Sequence, residues 1–314
     1  MAFVARRILH SAVVLLGVTV LVFAIVQLVP GDPVRIAMGT RFDPDVYARL
    51  REASGLDRPL LEQYLGYLAS AVTGDLGVSF RSGEPVTAIL LGRLPATVSM
   101  AGTGILIALL VSFPLGVFAA LRHGRASDTL VRGLSQLGVS IPDFWMAMLF
   151  ILLFSSTLGW LPPSGYVALT EDPAGWARRV AMPALTIGLV AGSILTRYIR
   201  SSVLEVLAAD HVRTARSKGL RSRVVVGRHV VRNSLIPVLT ITGNQLATML
   251  GGVVVVEVVF AWPGLGRLIY DAVLARDYPL LQGAILLVAA IFLLINLLVD
   301  LLYGKVDPRI RVTS

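Results

Sequence analysis

The residues best placed to do chemistry lie in one polar stretch of an otherwise apolar chain, Leu204 to Pro237, which reads LEVLAADHVRTARSKGLRSRVVVGRHVVRNSLIP. Arg213, Arg216, Lys218, Arg221, Arg223, Arg228 and Arg232 stand there against only Glu205 and Asp210, with Arg197 and Arg200 just upstream. Cations in this density make charge-assisted hydrogen bonds to an acidic protein surface or to lipid headgroups. Asp210 is expected to cap a helix, since its carboxylate can accept from the free N–H groups of a first turn. Gly219 is expected to end that helix in the left-handed conformation that a Cβ disfavours. The roughly eight residues between them rise about 12 Å, too short a helix to be stable alone. Val212, Ala215 and Gly219 share one face at helical spacing, so that face is expected to meet a docking partner at close range.

A second set of polar groups is embedded in apolar runs. Asp143 lies about ten residues into one run, beside Pro142. Asn244 follows in another run, which Glu257 nearly ends, and Asn296 and Asp300 share a face in the last. An ionised carboxylate at mid-bilayer costs about 2.5 to 3.5 kcal/mol, so it should face a cavity or a partner. For Asp143, lining a path and bonding to backbone freed at a proline kink are equally good readings. Glu257 and Asp300 lie near the expected interfaces, where anchoring is favoured.

Several chemistries are excluded. There is no cysteine, hence no disulfide and no thiolate. His10, His123, His211 and His229 are scattered without metal-ligand spacing, and no GxxxxGK[ST] loop exists to cradle nucleotide phosphates. No serine, histidine and acid fall into a triad-like pattern. The basic excess has no interleaved aromatics and lies beside apolar runs, which speaks against nucleic acid.

The elements that must position these residues are membrane helices. Apolar residues make up 55% of the chain and charged residues 15%, against about 25% in a soluble domain. Runs of about 20 apolar residues predict an all-α integral membrane protein with six spans: 8–29, 96–121, 134–158 with a kink at Pro142, 183–199, 235–260 and 280–303. Residues 1–30 form the first helix and residues 31–95 a small helical domain on the outer face. Residues 96–303 form a five-helix core, and residues 304–314 a cytoplasmic tail. In the outer domain Asp43-Pro44 should open one helix and Pro59 another, striped with Leu60, Leu61, Tyr64, Leu65 and Leu68. Trp160 and Trp176 are candidates for an interfacial aromatic belt. Trp262-Pro263-Gly264-Leu265-Gly266 interrupts the fifth span, and an amphipathic stretch follows. Its apolar face (Leu268, Ile269, Ala272, Val273) is expected to lie in the membrane interface, leaving Arg267, Asp271, Arg276 and Asp277 wet. The short loops concentrate Arg and Lys on one side, which puts both termini in the cytoplasm.

The run from Asp210 to Gly219, with His229 to Pro237 (HVVRNSLIP) behind it, resembles the EAA signature of ABC importer permeases in its dipeptide, oligopeptide and nickel branch. Arg213, Thr214 and Ala215 stand where the general signature reads Glu-Ala-Ala, so its glutamate is absent. Gly31-Asp32-Pro33, Gly55-Leu56-Asp57, Gly74-Asp75-Leu76-Gly77, EVVFAWPGLGR, RDYP and NLLVDLLYGKVDPRIR extend the resemblance over nearly the whole chain. It implies the type I importer permease fold in a bacterial cytoplasmic (inner) membrane. It also implies a homologous second permease, two cytoplasmic ATP-binding subunits that use ATP and magnesium, and an extracytoplasmic substrate-binding protein. This chain itself would carry no cofactor and no catalytic group. Glu205, Asp210, Arg213, Thr214, Ala215, Arg216, Lys218 and Gly219 would couple to the ATPases. Asp143, Asn244, Glu257, Trp262, Arg267, Asn296 and Asp300 would line a path or gate. The cargo implied is a di- or oligopeptide, with a nickel chelate or glutathione as alternatives. A secondary transporter would instead show inverted repeats, and none is found.

Overall fold

The computed structural model describes residues 2–28, 31–38, 42–53, 55, 57–251 and 253–306. Its helices are α1 (Ala2–Leu28), α2 (Pro33–Met38), α3 (Pro44–Ala53), α4 (Leu60–Val72), α5 (Val86–Leu121), α6 (Ala126–Ser140) and α7 (Asp143–Phe150), the last continuing π-helically over Ile151–Thr157. There follow α8 (Pro173–Ala208), α9 (Asp210–Ser217), and α10 (Ser222–Val224), which runs through the π-helical Val225–Val231 into α11 (Arg232–Leu250). The series ends with α12 (Val254–Val259), α13 (Leu265–Ala275) and α14 (Tyr278–Val306). Among the described residues the only β pairing is the isolated bridge between Val78 and Pro85. Helices α1, α5, α8 and α14 are long and apolar enough to cross a membrane, and two bent pairs bring the number to six if each counts as one span.

The chain forms two compact units, residues 1–97 with 263–293, and residues 98–262 with 294–314. In the first, Val86, Leu90, Leu265, Leu268, Ala272, Leu280 and Ala284 make one buried cluster. Asp277 closes it: the Ser79 hydroxyl and the Phe80 N–H, at 3.2 Å, both donate to its carboxylate. The Leu265 N–H donates to Thr97 Oγ1 at 2.8 Å. Two expectations are corrected here. Of the apolar face of α13, Leu268, Ile269 and Ala272 pack on this core while Val273 stays 52% exposed, and Asp277 is buried at 1% exposure because it ties the 79–80 turn to the start of α14. Asp43 does cap α3, accepting from the N–H groups of Asp45 and Val46. Gly55 stands just past it at φ +61°.

The second unit is packed through small residues. On α8, Ala184, Gly188, Gly192 and Thr196 recur every fourth position and are all buried. The last three meet Gly104, Ala108 and Gly116 of α5 so closely that a Cβ on Gly188 would stand 2.8 Å from the Gly104 carbonyl oxygen. Without a hydrophobic effect inside lipid, close backbone approach of this kind supplies the dispersion energy that holds membrane helices together.

Several span boundaries differ from those predicted. The second span was placed from Ala96, but α5 begins at Val86 and runs through Pro95 and Pro114. The fourth was placed over Pro183 to Ile199, yet α8 has 36 residues with Pro183 inside it and Trp176 in its first turn. Asp172 supplies the cap, accepting from the Ala174 N–H. Pro142 does not merely kink the third span: α6 and α7 meet there at 99°, because Ile141 and Pro142 both leave the helical region. The fifth span is broken between α11 and α12. Of the predicted tail, residues 307–314 lie outside the described residues, as do Leu56 and the expected first-span end at Val29.

Candidate functional site

The polar stretch folds as a helical turnaround at the end of α8. Ala209, in extended conformation, reverses the chain, and its carbonyl accepts from the N–H groups of Val212 and Arg213. Asp210 is therefore the first helical residue and not the cap that the sequence suggested. Its carboxylate makes no capping bond and stands 3.7 Å from Arg213, with the two side chains 93% and 78% exposed. It still complements the helix dipole, but an ion pair so exposed contributes almost nothing. Glu205 is exposed on the last turns of α8.

Gly219 does end α9 at φ +75°, with two bonds of a Schellman closure: the Gly219 N–H to the Arg216 carbonyl at 2.9 Å and the Leu220 N–H to that of Ala215 at 3.4 Å. The Thr214 and Ser217 hydroxyls return to the carbonyls of Asp210 and Arg213.

The burial of α9 reverses one expectation. Val212 and Ala215 were read as the face offered to a partner, but they are 0% and 6% exposed and pack inward against this chain. Helix α9 packs against α8 and the π-helical stretch, in which Val203, Val225 and Val230 are likewise fully or almost fully buried. Asn233 fixes the arrangement laterally, its Nδ2 donating to the His229 carbonyl at 2.7 Å and lying 3.2 Å from His211 Nε2 on α9. The Ser202 hydroxyl of α8 donates to the Ser234 carbonyl at 3.1 Å. Thus the residues HVVRNS hold the short helix to the two long ones, which answers the instability expected of it in isolation. What α9 presents outward is Asp210, His211, Arg213, Thr214, Arg216, Ser217 and Lys218, continued by Arg221, Arg223, Arg228 and Arg232, all exposed.

A clamp that the sequence reading missed lies two turns up α8. Arg200 donates to Asp128 from Nε at 2.6 Å and from its terminal nitrogen at 2.8 Å, and the same guanidinium stands 3.0 Å from His123 Nδ1. The Gly124 N–H also donates to Asp128, whose side chain is 2% exposed. Start of α6, loop and α8 are thereby tied together. The signal was present in sequence as a lone carboxylate in a stretch that otherwise carries Arg122, Arg125 and Arg132. Asp128→Asn is expected to lower the stability of the purified protein by about 3 kcal/mol, the low end for a buried pair because Arg200 keeps some contact with water. Thermal unfolding checks this, and an unchanged midpoint would show that the clamp contributes nothing.

The embedded polar residues are not gathered into one cluster. Asp143, expected deep in a continuous span, is the first residue of α7 just past the break. Glu257 is not an interfacial anchor: it is fully buried on α12 within the second unit. Trp262 of that unit is also fully buried, edge-on to Tyr166 at 4.8 Å, and the Gly165 N–H donates to the Phe260 carbonyl. Asn244 is exposed on α11, while Asn296 and Asp300 are half-buried one turn apart on α14. Arg267, in the first unit, stands 3.9 Å from Asp271 on α13. Among the described residues no group of histidines and carboxylates could hold a metal ion.

Residues 112–312 match the family described as binding-protein-dependent transport system inner membrane component, and residues 1–101 match the N-terminal region that accompanies it. The chain is 41% identical over 332 residues to the di/tripeptide transport system permease protein DppB of Pseudomonas aeruginosa, covering 99% of each. It is 40% identical over 333 residues to the dipeptide transport system permease protein DppB of Escherichia coli, covering 98% of each. Among solved structures, an inward facing conformation of the MetNI methionine ABC transporter shares the fold at a TM-score of 0.57 and 18% identity, over 70% of this chain and 96% of that one.

Proposed function

The chain belongs to the family of binding-protein-dependent transport system inner membrane components, and we propose that it is the permease subunit of an ATP-driven importer carrying di- or oligopeptides across the cytoplasmic membrane. It is a multi-pass membrane protein with the type I importer permease fold. The observation that carries the coupling role is the outward basic face of α9, packed against the long α8 and bonded to α11 through Asn233. ATP-driven closure of a partner subunit against that face would move α8. Nucleotide and magnesium would be bound by two such partners, since this chain has no phosphate-cradling loop of its own. A second, homologous permease and a substrate-binding protein complete the proposed assembly, with Glu257, Trp262 and Arg267 towards the outer gate and Asp143, Asn244, Asn296 and Asp300 along the path.

Affinity purification from the native host in mild detergent tests the assembly. Two ATP-binding chains and a second permease should co-purify, and ATPase activity should rise when peptide-loaded binding protein is added. A chain that purifies alone and transports with an ion gradient as its only energy source would overturn the reading.

Orientation is tested separately. Because the chain has no native cysteine, Ser222→Cys and Ser164→Cys should label with an impermeant thiol reagent from opposite sides, Ser222 from the cytoplasm. Labelling of both from outside would reverse or break the proposed topology.

A further inference from the structure

We propose that a cavity in the first unit, between the outer end of α1, α4 and the start of α14, holds one phospholipid with a zwitterionic amine headgroup. The cavity measures about 450 Å³, within the range of sites that take small molecules. Its level follows from its walls, Phe23 and Val26 in the last turns of α1 and Tyr278 in the first turn of α14. On the premise that both helices span the membrane, these turns mark the outer boundary between acyl chains and headgroups.

Helix α4 lies at the same level and deeper. Gln27 donates to Gln63, the Phe23 and Tyr64 rings stand 5.4 Å apart, and Thr19 Oγ1 is 3.0 Å from the Tyr64 hydroxyl. Thr19 is nine residues before the end of α1, or about 13 Å below it. Helix α4 therefore reaches into the outer leaflet and is not wholly part of an aqueous cap. Its leucine stripe bears this out in burial: Leu60, Leu61 and Leu65 are 59%, 69% and 53% exposed, and no residue of α4 is buried. The neighbouring α1 exposes Leu21 and Ile25 in the same way. Acyl chains would cover both faces, since an exposed apolar surface of this extent is stable only in lipid or against a partner.

The cavity lining sorts by chemistry as a lipid does. Phe23, Val26 and Phe80 form an apolar wall, while Arg58, Glu62 and Asp75 bring one positive and two negative groups to the same space. A phosphate would pair with Arg58 and an ammonium with Glu62 or Asp75. The Tyr67 hydroxyl is buried with no protein partner, a donor left for a phosphate or ester oxygen. A peptide carries the same pair of charges at its termini, but it has no long acyl chain to spread over the exposed leucines of α4, the helix that supplies Glu62, Gly66 and Tyr67 to the lining.

Native mass spectrometry of the assembled complex, titrated with palmitoyl-oleoyl phosphatidylethanolamine or phosphatidylglycerol, tests the assignment. The amine lipid should be retained at one copy per chain and the glycerol lipid at least tenfold less. Gly66 lines the cavity and a Cβ there meets nothing within 4 Å, so Gly66→Leu should fill the space and abolish retention. Tyr67→Phe, which removes only the hydroxyl, should weaken retention about fivefold, the equivalent of one neutral hydrogen bond. Equal retention by the wild type and both variants overturns the site, as does failure of the wild type to retain the amine lipid. Displacement of the lipid by dialanine would assign the cavity to cargo instead.

Discussion

Gly188→Leu is expected to leave no functional protein in the membrane. A side chain at this position would begin 2.8 Å from the Gly104 carbonyl oxygen and 3.0 Å from Ile107, and the first obstacle is backbone that cannot rotate away. Overpacking in an ordinary core costs about 1 to 3 kcal/mol because side chains can yield. Here the two long helices would have to separate, losing the close contact along Gly188, Gly192 and Thr196. The matched control is Gly102→Leu, since Gly102 has open space around its Cβ position. Accumulation in the membrane and co-purification with partners should fall to background for Gly188→Leu and stay near wild type for Gly102→Leu. Equal behaviour of the two variants would show that close α5–α8 approach does not hold the unit together.

The double variant Arg213→Glu, Arg216→Glu should fold normally and fail to couple. Both residues are exposed, and the one ion pair at risk, Arg213 with Asp210, is too exposed to contribute. Chain stability should therefore change by no more than about 0.5 kcal/mol. At an interface with an acidic partner, a loss of about 2 kcal/mol for each reversal lies at the low end of close charge pairs, and two reversals would weaken association roughly a thousandfold. Peptide uptake and ATPase co-purification should fall together, and raising the salt should weaken wild-type association in the same direction. Wild-type uptake by the double variant would remove the basic face from the coupling role. Ala215→Trp, by contrast, is expected to fail by displacing α9 from α8 and the π-helical stretch, because Ala215 is buried against this chain and does not face outward.

How far the sequence could be read depended on the range of each interaction. The end of α9 at Gly219 was legible because a left-handed residue is a local requirement, and so were the Asp43-Pro44 start of α3 and the four apolar runs that lie in α1, α5, α8 and α14. The cap was misread by one residue: Asp210 has the right side chain, yet Ala209 takes the extended conformation where α8 must turn back. Proline misled in both directions. Pro95 and Pro183 read locally as boundaries but lie inside α5 and α8, where neighbouring helices can satisfy the freed carbonyls. Pro142 reads locally as a kink and is a 99° break. The Asp128–Arg200 clamp joins residues 72 positions apart, and no local pattern encodes such a pairing. The facing of Val212 and Ala215 was equally hidden, since helical spacing shows that residues share a face and not what covers it.

The length of α8 has a mechanical consequence. Its 36 residues make a rod of about 54 Å, well beyond the roughly 30 Å of a hydrocarbon core. Gly188, where the rod leaves no room for a Cβ beside the backbone of α5, lies 15 residues from Pro173 and 20 from Ala208, which gives arms of about 22 and 30 Å. Such a rod tilting on that contact is a lever with its fulcrum inside the membrane. A 4 Å sideways push on α9 then swings the opposite end by about 3 Å in the reverse direction, so closing the helices on one side and opening them on the other become a single movement.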